Sequence, residues 1–214
     1  MNSDEMPVAP PAPRPAYEAS KRIFDIVFSL IGIAIALPVL LAIALALRFS
    51  SPDPVLYRGV RTGLAGVPFS ILKFRTMAVG SDAGAGTTSR NDPRVTRLGR
   101  FLRRYKIDEL PQLFNVLRGE MSFVGPRPEL PRYTALYRGD EKLILTVRPG
   151  ITDYSSIVFS DLGTLIGDAD PDREFETKVL PEKNRLRIRY VRERGFWLDL
   201  KLIAATFVRI VRPR

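Results

Sequence analysis

The hydrophobic pattern of the chain consists of one long continuous run followed by short alternating pieces. From Ile23 to Leu47, 25 residues carry a single charge, Asp25, with Lys21-Arg22 before the run and Arg48 after it. As a straight helix, rising about 1.5 Å per residue, such a run exceeds the roughly 30 Å hydrocarbon layer of a membrane. Pro38 sits near its centre. Proline lacks the backbone N–H and crowds the preceding turn, so a helix kinks there. A secretory signal fits poorly, because the run is too long and follows a mildly acidic leader. A spanning helix and a re-entrant helix both fit its length. Residues 1–20 sum to −2, residues 21–48 to +2 and residues 49–214 to +10. Both basic flanks favour the cytoplasmic face, which a re-entrant helix satisfies and a spanning one does not. The pattern therefore predicts a disordered Pro-rich leader over residues 1–20, a re-entrant membrane helix over 21–48 broken at Pro38, and a soluble domain over 49–214.

Beyond Pro52 the apolar pieces are short. Val55–Arg58 and Phe69–Arg75 flank a connection containing Gly59, Gly63 and Gly66, which predicts a β-hairpin. Residues 78–90 are rich in Gly, Ser and Thr and predict a loop. Asp92-Pro93 supplies a helix start, and Leu98, Phe101, Leu102 and Tyr105 follow at helical spacing, with Arg97, Arg100, Arg103 and Arg104 on other faces. A second amphipathic helix is expected over 196–211, with Phe196, Leu200, Ile203, Phe207 and Val211 in one stripe and Trp197 at its start. Such a helix suits a membrane interface and equally suits packing on the core. The fold class is therefore α+β and mainly helical, with a re-entrant helix, a small hairpin and amphipathic interfacial helices.

Composition narrows the chemistry. The 214 residues include no His and no Cys. Ser-His-Asp triads, Cys nucleophiles, disulfides and zinc sites built on Cys or His are all excluded. Carboxylates, Lys, Arg, Tyr, Ser and Thr remain, with an oxygen-liganded metal such as Mg²⁺ as the natural helper. The net charge of +10 points to an anionic partner: nucleic acid, an anionic membrane surface or a phosphorylated substrate.

Two motifs could handle phosphate. Asp108-Glu109 precedes Pro111, which is tolerated only in a first helical turn, so Asp108 falls at or near an N-cap. On its own this describes an ordinary capping carboxylate. The same helix N-terminus, with arginines nearby, would keep both carboxylates ionised and attract phosphate, leaving Asp108 as a nucleophile or a metal ligand. Arg127 lies between Pro126 and Pro128, which restrict the backbone on both sides, and Arg is suited to bidentate phosphate contact. The alternative for Arg127 is a solvated surface turn. Arg148-Pro149-Gly150 repeats the theme.

Six segments occur in one order: Lys21-Arg22-Ile23-Phe24-Asp25, Lys73-Phe74-Arg75-Thr76-Met77, Asp92-Pro93-Arg94-Val95-Thr96, Asp108-Glu109-Leu110-Pro111-Gln112-Leu113, Met121 to Pro128 and Arg148-Pro149-Gly150-Ile151-Thr152. Together they resemble the bacterial sugar transferases, the monotopic phosphoglycosyl transferase family, in a short single-domain form. The resemblance runs from about Lys21 to the C-terminus. It implies transfer of a sugar-1-phosphate from a UDP-sugar to undecaprenyl phosphate or another polyprenyl phosphate, with release of UMP, at the start of a membrane-linked glycan. It also implies a re-entrant helix broken at a proline, here Pro38, although Leu37 stands where members often have Ser. Asp108 would attack the sugar-bearing phosphorus to form a covalent phosphosugar intermediate, Glu109 would help Asp108 to hold Mg²⁺, and Arg127 would serve the uridine nucleotide. Lys73, Arg75, Arg104 and Arg148 join Arg127 as candidate substrate-binding residues.

The implied location is the cytoplasmic face of the bacterial inner membrane, with membrane lipid as a partner and a homodimer compatible with the sequence. The chain departs from the family at residues 153–160, where a Gly-Trp-Ala-Gln run is common, and at Arg187, which stands where a family Asp precedes a Tyr-Val pair. The alternative function is a non-catalytic, membrane-tethered basic module binding anionic lipid or nucleic acid. No RNA-stacking or groove-reading motif accompanies the charge, so nucleic acid is not expected as a partner.

Overall fold

Thirty-six residues, Pro15–Ser50, form a single α-helix, α1, in a computed structural model that describes residues 12–80, 92–159 and 170–211. Two expectations change here. Residues 15–20, assigned to the leader, are helical. Pro15 occupies the first turn, where its missing N–H is harmless. The side chains behind it are tied down: Tyr17 Oη donates to Asp199 Oδ2 at 2.8 Å, and Arg14 donates to the Arg194 carbonyl. Residues 1–11 of the leader lie outside the described residues. The expected break at Pro38 is absent, because the helix runs through it. Proline removes one donor, the partner of the Ala34 carbonyl, and the bonds of the turns on either side continue the helix.

α1 is long and apolar enough to cross a membrane, yet one stripe of it is packed against the rest of the protein. Asp25, Ser29, Leu40 and Leu47 are buried, and Ala36 and Ile43 are partly buried. A Cβ on Gly32 would come within 3.3 Å of Leu113 Cδ1. These positions recur every three or four residues, so a single face contacts the domain from near the start of the apolar run to its end. Ile23, Val27, Ile31 and Ile35 on the other side are exposed.

The hairpin forms as expected from β1 (Leu56–Thr62) and β2 (Pro68–Phe74), antiparallel with Leu56 opposite Phe74. Gly63 and Gly66 lie in the connection, whereas Gly59 falls inside β1, opposite Ile71. The loop expected at 78–90 falls mostly outside the described residues.

The next helix, α2 (Arg97–Arg104), begins later than Asp92-Pro93 suggests. Thr96 is its cap and accepts from the Gly99 amide at 2.9 Å, a contact of about 1 kcal/mol. Asp92 instead binds Arg94, through the backbone amide at 3.0 Å and the guanidinium at 2.6 Å. Of the apolar stripe only Leu102 is fully buried, while Phe101 and Tyr105 are exposed, with ring centroids 5.0 Å apart.

A short 3₁₀ turn, Ile107–Glu109, leads into α3 (Gln112–Arg118). β3 (Ser122–Val124) follows, then α4 (Pro131–Thr134), a 3₁₀ stretch over Gly139–Thr146, and β4 (Gly150–Thr152). β3 and β4 pair in parallel, Ser122 with Gly150 and Val124 with Thr152. The two Pro-containing turns that stand apart in the sequence are thus neighbours. They approach so closely that a Cβ on Gly150 would lie 2.1 Å from the Gly125 nitrogen, so both positions must be glycine.

α5 (Tyr154–Val158), α6 (Pro171–Glu174), a π turn over Phe175–Val179, α7 (Leu180–Glu193) and α8 (Phe196–Val211) complete the described chain. α7 and α8 pack on the β3–β4 pair through a core of Val124, Leu143, Tyr190, Val191 and Leu202. The buried side of α8 is centred on Asp199 and Leu202, and of the two placements open for its apolar stripe the core is not the one taken by Phe196 and Phe207, which are exposed. Asp199 turns the helix this way by accepting from Tyr17, Lys21 and Tyr190.

Candidate active site

Three elements bring charge to one place. Lys73 comes from the end of β2, Asp108 and Glu109 from the turn before α3, and Arg127 from the loop after β3. Glu109 Oε1 accepts from Lys73 Nζ at 2.9 Å and from the Arg127 guanidinium. Arg127 is fixed further by donating to the Ile151 carbonyl at 3.0 Å, and its backbone amide donates to Asp153 Oδ2 at 3.3 Å. Asp153 itself caps α5, accepting from the Ser156 amide at 2.7 Å.

The turn that presents the dyad begins at Lys106, a non-glycine residue with φ of 58°. That left-handed geometry, costing roughly 1 kcal/mol or more, reverses the chain between α2 and the dyad. Asp108 is therefore inside a short 3₁₀ turn and makes no capping bond, and α3 starts from Pro111. One helix start was expected, with Asp108 at or near its cap. The proline instead opens a separate helix three residues later, which frees the Asp108 side chain.

The two carboxylates differ in environment. Burial would push Glu109 up, but Arg127 and Lys73 outweigh it and hold its carboxyl well below the usual range. Burial dominates at Asp108 and raises it, with Lys73 drawing it down and Glu109 adding to the rise. Both carboxylates were expected to be kept ionised by a helix N-terminus and arginines; Glu109 is held low in that sense, whereas at Asp108 burial works against the cations. Asp108 Oδ1 is buried with no hydrogen-bond partner.

Of the substrate-binding candidates, Lys73 and Arg127 reach the dyad. Arg75, Arg104 and Arg148 make their contacts elsewhere. Arg75 lies past the end of β2 and donates to the Pro54 carbonyl at 2.8 Å. Arg104 is exposed beside the Tyr105 ring. Arg148 donates to the Gly119 carbonyl at 3.0 Å and lines a cavity with Lys21, Arg22 and Asp25 of α1. Arg103 takes the place expected for Arg104: its Nε donates to Thr76 Oγ1 at 2.8 Å and its charge acts on Asp108. The usable signal was helical phase, since Arg103 is one turn from Gly99, the buried glycine of α2. Gln112 was also missed. It is fully buried and neither polar atom of its side chain has a partner.

Among the described residues no group of three or more His, Cys, Asp or Glu gathers as a metal site. The dyad supplies two carboxylates.

Comparison with known proteins places this arrangement. The family model for bacterial sugar transferases matches residues 16–213. The UDP-glucose:undecaprenyl-phosphate glucose-1-phosphate transferase of Caulobacter vibrioides is 39% identical over 209 residues, covering 92% of this chain and 71% of that protein. The protein of the same name from Escherichia coli is 40% identical, over 87% of this chain but 39% of its own length. The UDP-N-acetylgalactosamine-undecaprenyl-phosphate N-acetylgalactosaminephosphotransferase of Aeromonas hydrophila is 35% identical over 91% of this chain and 44% of its own length. With a match that begins in the first turn of α1 and includes the dyad, both Pro-Gly turns and α8, the chain belongs to the bacterial sugar transferase family.

Proposed function

We propose that the protein transfers a sugar-1-phosphate from a UDP-sugar to undecaprenyl phosphate or a related polyprenyl phosphate and releases UMP. The observation that carries this reading is the convergence of Lys73 and Arg127 on Glu109 beside a buried, unpartnered oxygen of Asp108. The relatives' names supply the substrate class.

The chemistry divides into two displacements at phosphorus. In the first, Asp108 Oδ1 bonds to the sugar-bearing phosphorus, the bond from that phosphorus to the UMP oxygen breaks, and UMP leaves with the electron pair. In the second, an oxygen of the polyprenyl phosphate bonds to the same phosphorus and the Asp108 carboxylate is restored, leaving a polyprenyl diphosphosugar. A carboxylate that stores the phosphosugar allows one site to serve two diphosphate exchanges. Arg127 and Lys73 neutralise the diphosphate of the donor, and Arg103 lies beside Asp108 to meet further phosphate charge.

Mg²⁺ fits this donor set. It is usually held by one or two carboxylates together with substrate phosphates, and the adjacent carboxyl groups of Asp108 and Glu109 would offer that number while Asp108 Oδ1 is left to attack phosphorus. When bound it neutralises phosphate charge.

α1 is the membrane anchor in this reading, with the catalytic domain on the cytoplasmic face of the inner membrane. The monotopic arrangement is supported by the stripe from Asp25 to Leu47, which keeps both ends of α1 against the same domain. Lys21-Arg22 and Arg48 then share one side, as charge favours.

The test is UMP release from a panel of UDP-sugars, by the full chain in lipid, with and without EDTA and polyprenyl phosphate. Release that needs a divalent cation, and an Asp108→Asn variant that is inserted but inactive, are expected. Near-normal turnover by Asp108→Asn removes the nucleophile assignment. No release from any UDP-sugar, together with tight salt-sensitive binding of anionic vesicles, favours a non-catalytic basic module.

A further inference from the structure

Arg187 heads the fully buried side chains by volume. From α7 it donates to Glu129 Oε1 at 2.6 Å and to Asn184 Oδ1 at 3.1 Å, while its Nε has no partner. Lys183, one turn earlier, donates to the same Glu129 oxygen at 3.0 Å. Burial would raise the Glu129 carboxyl, but these two cations hold it down to about 2. Two buried cations on one carboxylate are a poor source of stability, because well-packed apolar side chains of the same size avoid the desolvation. The cluster is better explained by what it holds in place.

It holds the loop that carries Arg127. The Pro126 carbonyl accepts from the Gly150 amide at 3.0 Å, and the Glu129 carbonyl accepts from the Thr62 amide at 3.1 Å. Pro126 and Pro128 restrict φ on either side of Arg127. With the backbone tied to β1 and β4, the Glu129 side chain is the loop's anchor to α7, and the anchor is closed by Arg187 and Lys183. Arg127 projects from the opposite end of this short segment to Glu109 and the Ile151 carbonyl.

We infer that Arg187 is a positioning residue: acting through Glu129, it fixes the loop that aims the Arg127 guanidinium at Glu109 and at the diphosphate of the nucleotide donor. This role rests on the assignment of Arg127 to the donor site in the preceding subsection. It also gives a function to a departure of this chain from its family's sequence pattern, since a cation at position 187 has a buried carboxylate to serve.

Titration of the full chain in lipid nanodiscs with uridine 5′-diphosphate separates the two assignments. Arg127→Ala is expected to weaken UDP binding at least tenfold, on the order of what misplacing or losing one phosphate contact costs. Unchanged affinity in that variant removes the donor reading and this role with it. Given the loss, Arg187→Met is expected to weaken UDP binding by about tenfold through the misaimed Arg127. The double variant should bind no worse than Arg127→Ala alone, because the two residues act in series. Arg187→Lys keeps a cation for Glu129 and should recover part of the affinity.

A purely structural loss would lower the number of competent sites in the titration and leave their Kd unchanged. Wild-type affinity in Arg187→Met, or full additivity in the double variant, overturns the inference and leaves the donor reading standing. Glu129→Gln, which keeps the shape of the anchor, runs the same cycle with the same decisive outcomes where Arg187→Met does not accumulate.

Discussion

Asp108 and Glu109 are consecutive in the chain and sit in opposite electrostatic situations. Glu109 is gripped by Lys73 and Arg127 and stays ionised, whereas Asp108 is buried with an oxygen that nothing satisfies. A carboxylate engaged by two cations is a poor nucleophile, and one left uncompensated is a reactive one.

This contrast predicts the acid limb of the pH–rate profile. Asp108 must be ionised to attack, and burial raises its pKa above the ordinary 3.8. The rate of UMP release should therefore fall at a higher pH than an ordinary carboxylate would give. Lys73 draws that pKa down, so Lys73→Met should move the limb further up the pH scale. A limb that stays put in Lys73→Met contradicts the assignment.

The same burial makes Asp108 a liability for stability. Its folded pKa lies above its unfolded one, so the folded state favours the protonated form, and stability from this group is lost as pH rises through the folded value. At pH 7.5 Asp108→Asn should therefore unfold at a higher temperature than wild type while being inactive. The advantage should vanish below about pH 3.8, where both states of the wild type are protonated. Thermal unfolding in detergent at the two pH values checks it.

Removal of Asp199 should loosen the start of α1. Lys21 binds it at 2.5 Å with both side chains largely buried, and Tyr17 and Tyr190 donate to it at 2.8 and 2.9 Å. Asp199→Ala leaves the Lys21 ammonium unpaired, a loss of about 3 kcal/mol. Limited proteolysis should then cut near residues 12–20, and a wild-type cleavage pattern would show that the cluster does not hold the helix.

Two glycines should respond to alanine in opposite degrees. Gly150→Ala puts a Cβ into the Gly125 backbone at 2.1 Å, so little folded protein should accumulate. Gly66 has φ of +80° but no atom within 4 Å of a built Cβ, so Gly66→Ala should cost only about 1 kcal/mol, through backbone strain. Purified yield and thermal midpoint distinguish the two.

Much of this was legible in the sequence because it depends on local chemistry. The hairpin follows from apolar strands around Gly63 and Gly66, and the dyad stands out because Asp108-Glu109 precedes a proline. What depends on distant pairing was hidden. β3 and β4 are three residues each, too short for any alternation to show, and they announce themselves only as glycine-containing turns. Arg103 and Arg104 are equivalent in composition and differ only in helical phase, which burial of Gly99 and Leu102 settles. For α8 the apolar stripe alone leaves membrane interface and core packing equally open, and it is the buried aspartate with three donors that turns Asp199 and Leu202 inward and leaves Phe196 and Phe207 exposed. In α1 the proline predicts the break of a re-entrant helix, whereas the stripe from Asp25 to Leu47 holds one unbroken helix against the domain on both sides of it.

Arg22 of α1 donates to the Val116 and Leu117 carbonyls at 2.7 Å each, in the last turn of α3, and the dyad precedes the first turn of that same helix. α3 has seven residues, a length of about 10 Å. The dyad is thus coupled to α1 by a rigid strut of two turns rather than by a flexible tether. With α1 as the membrane anchor of the proposed function, a change in its depth would be passed through this strut to Asp108, so that the anchor would serve as a depth gauge for the chemistry as well as an attachment.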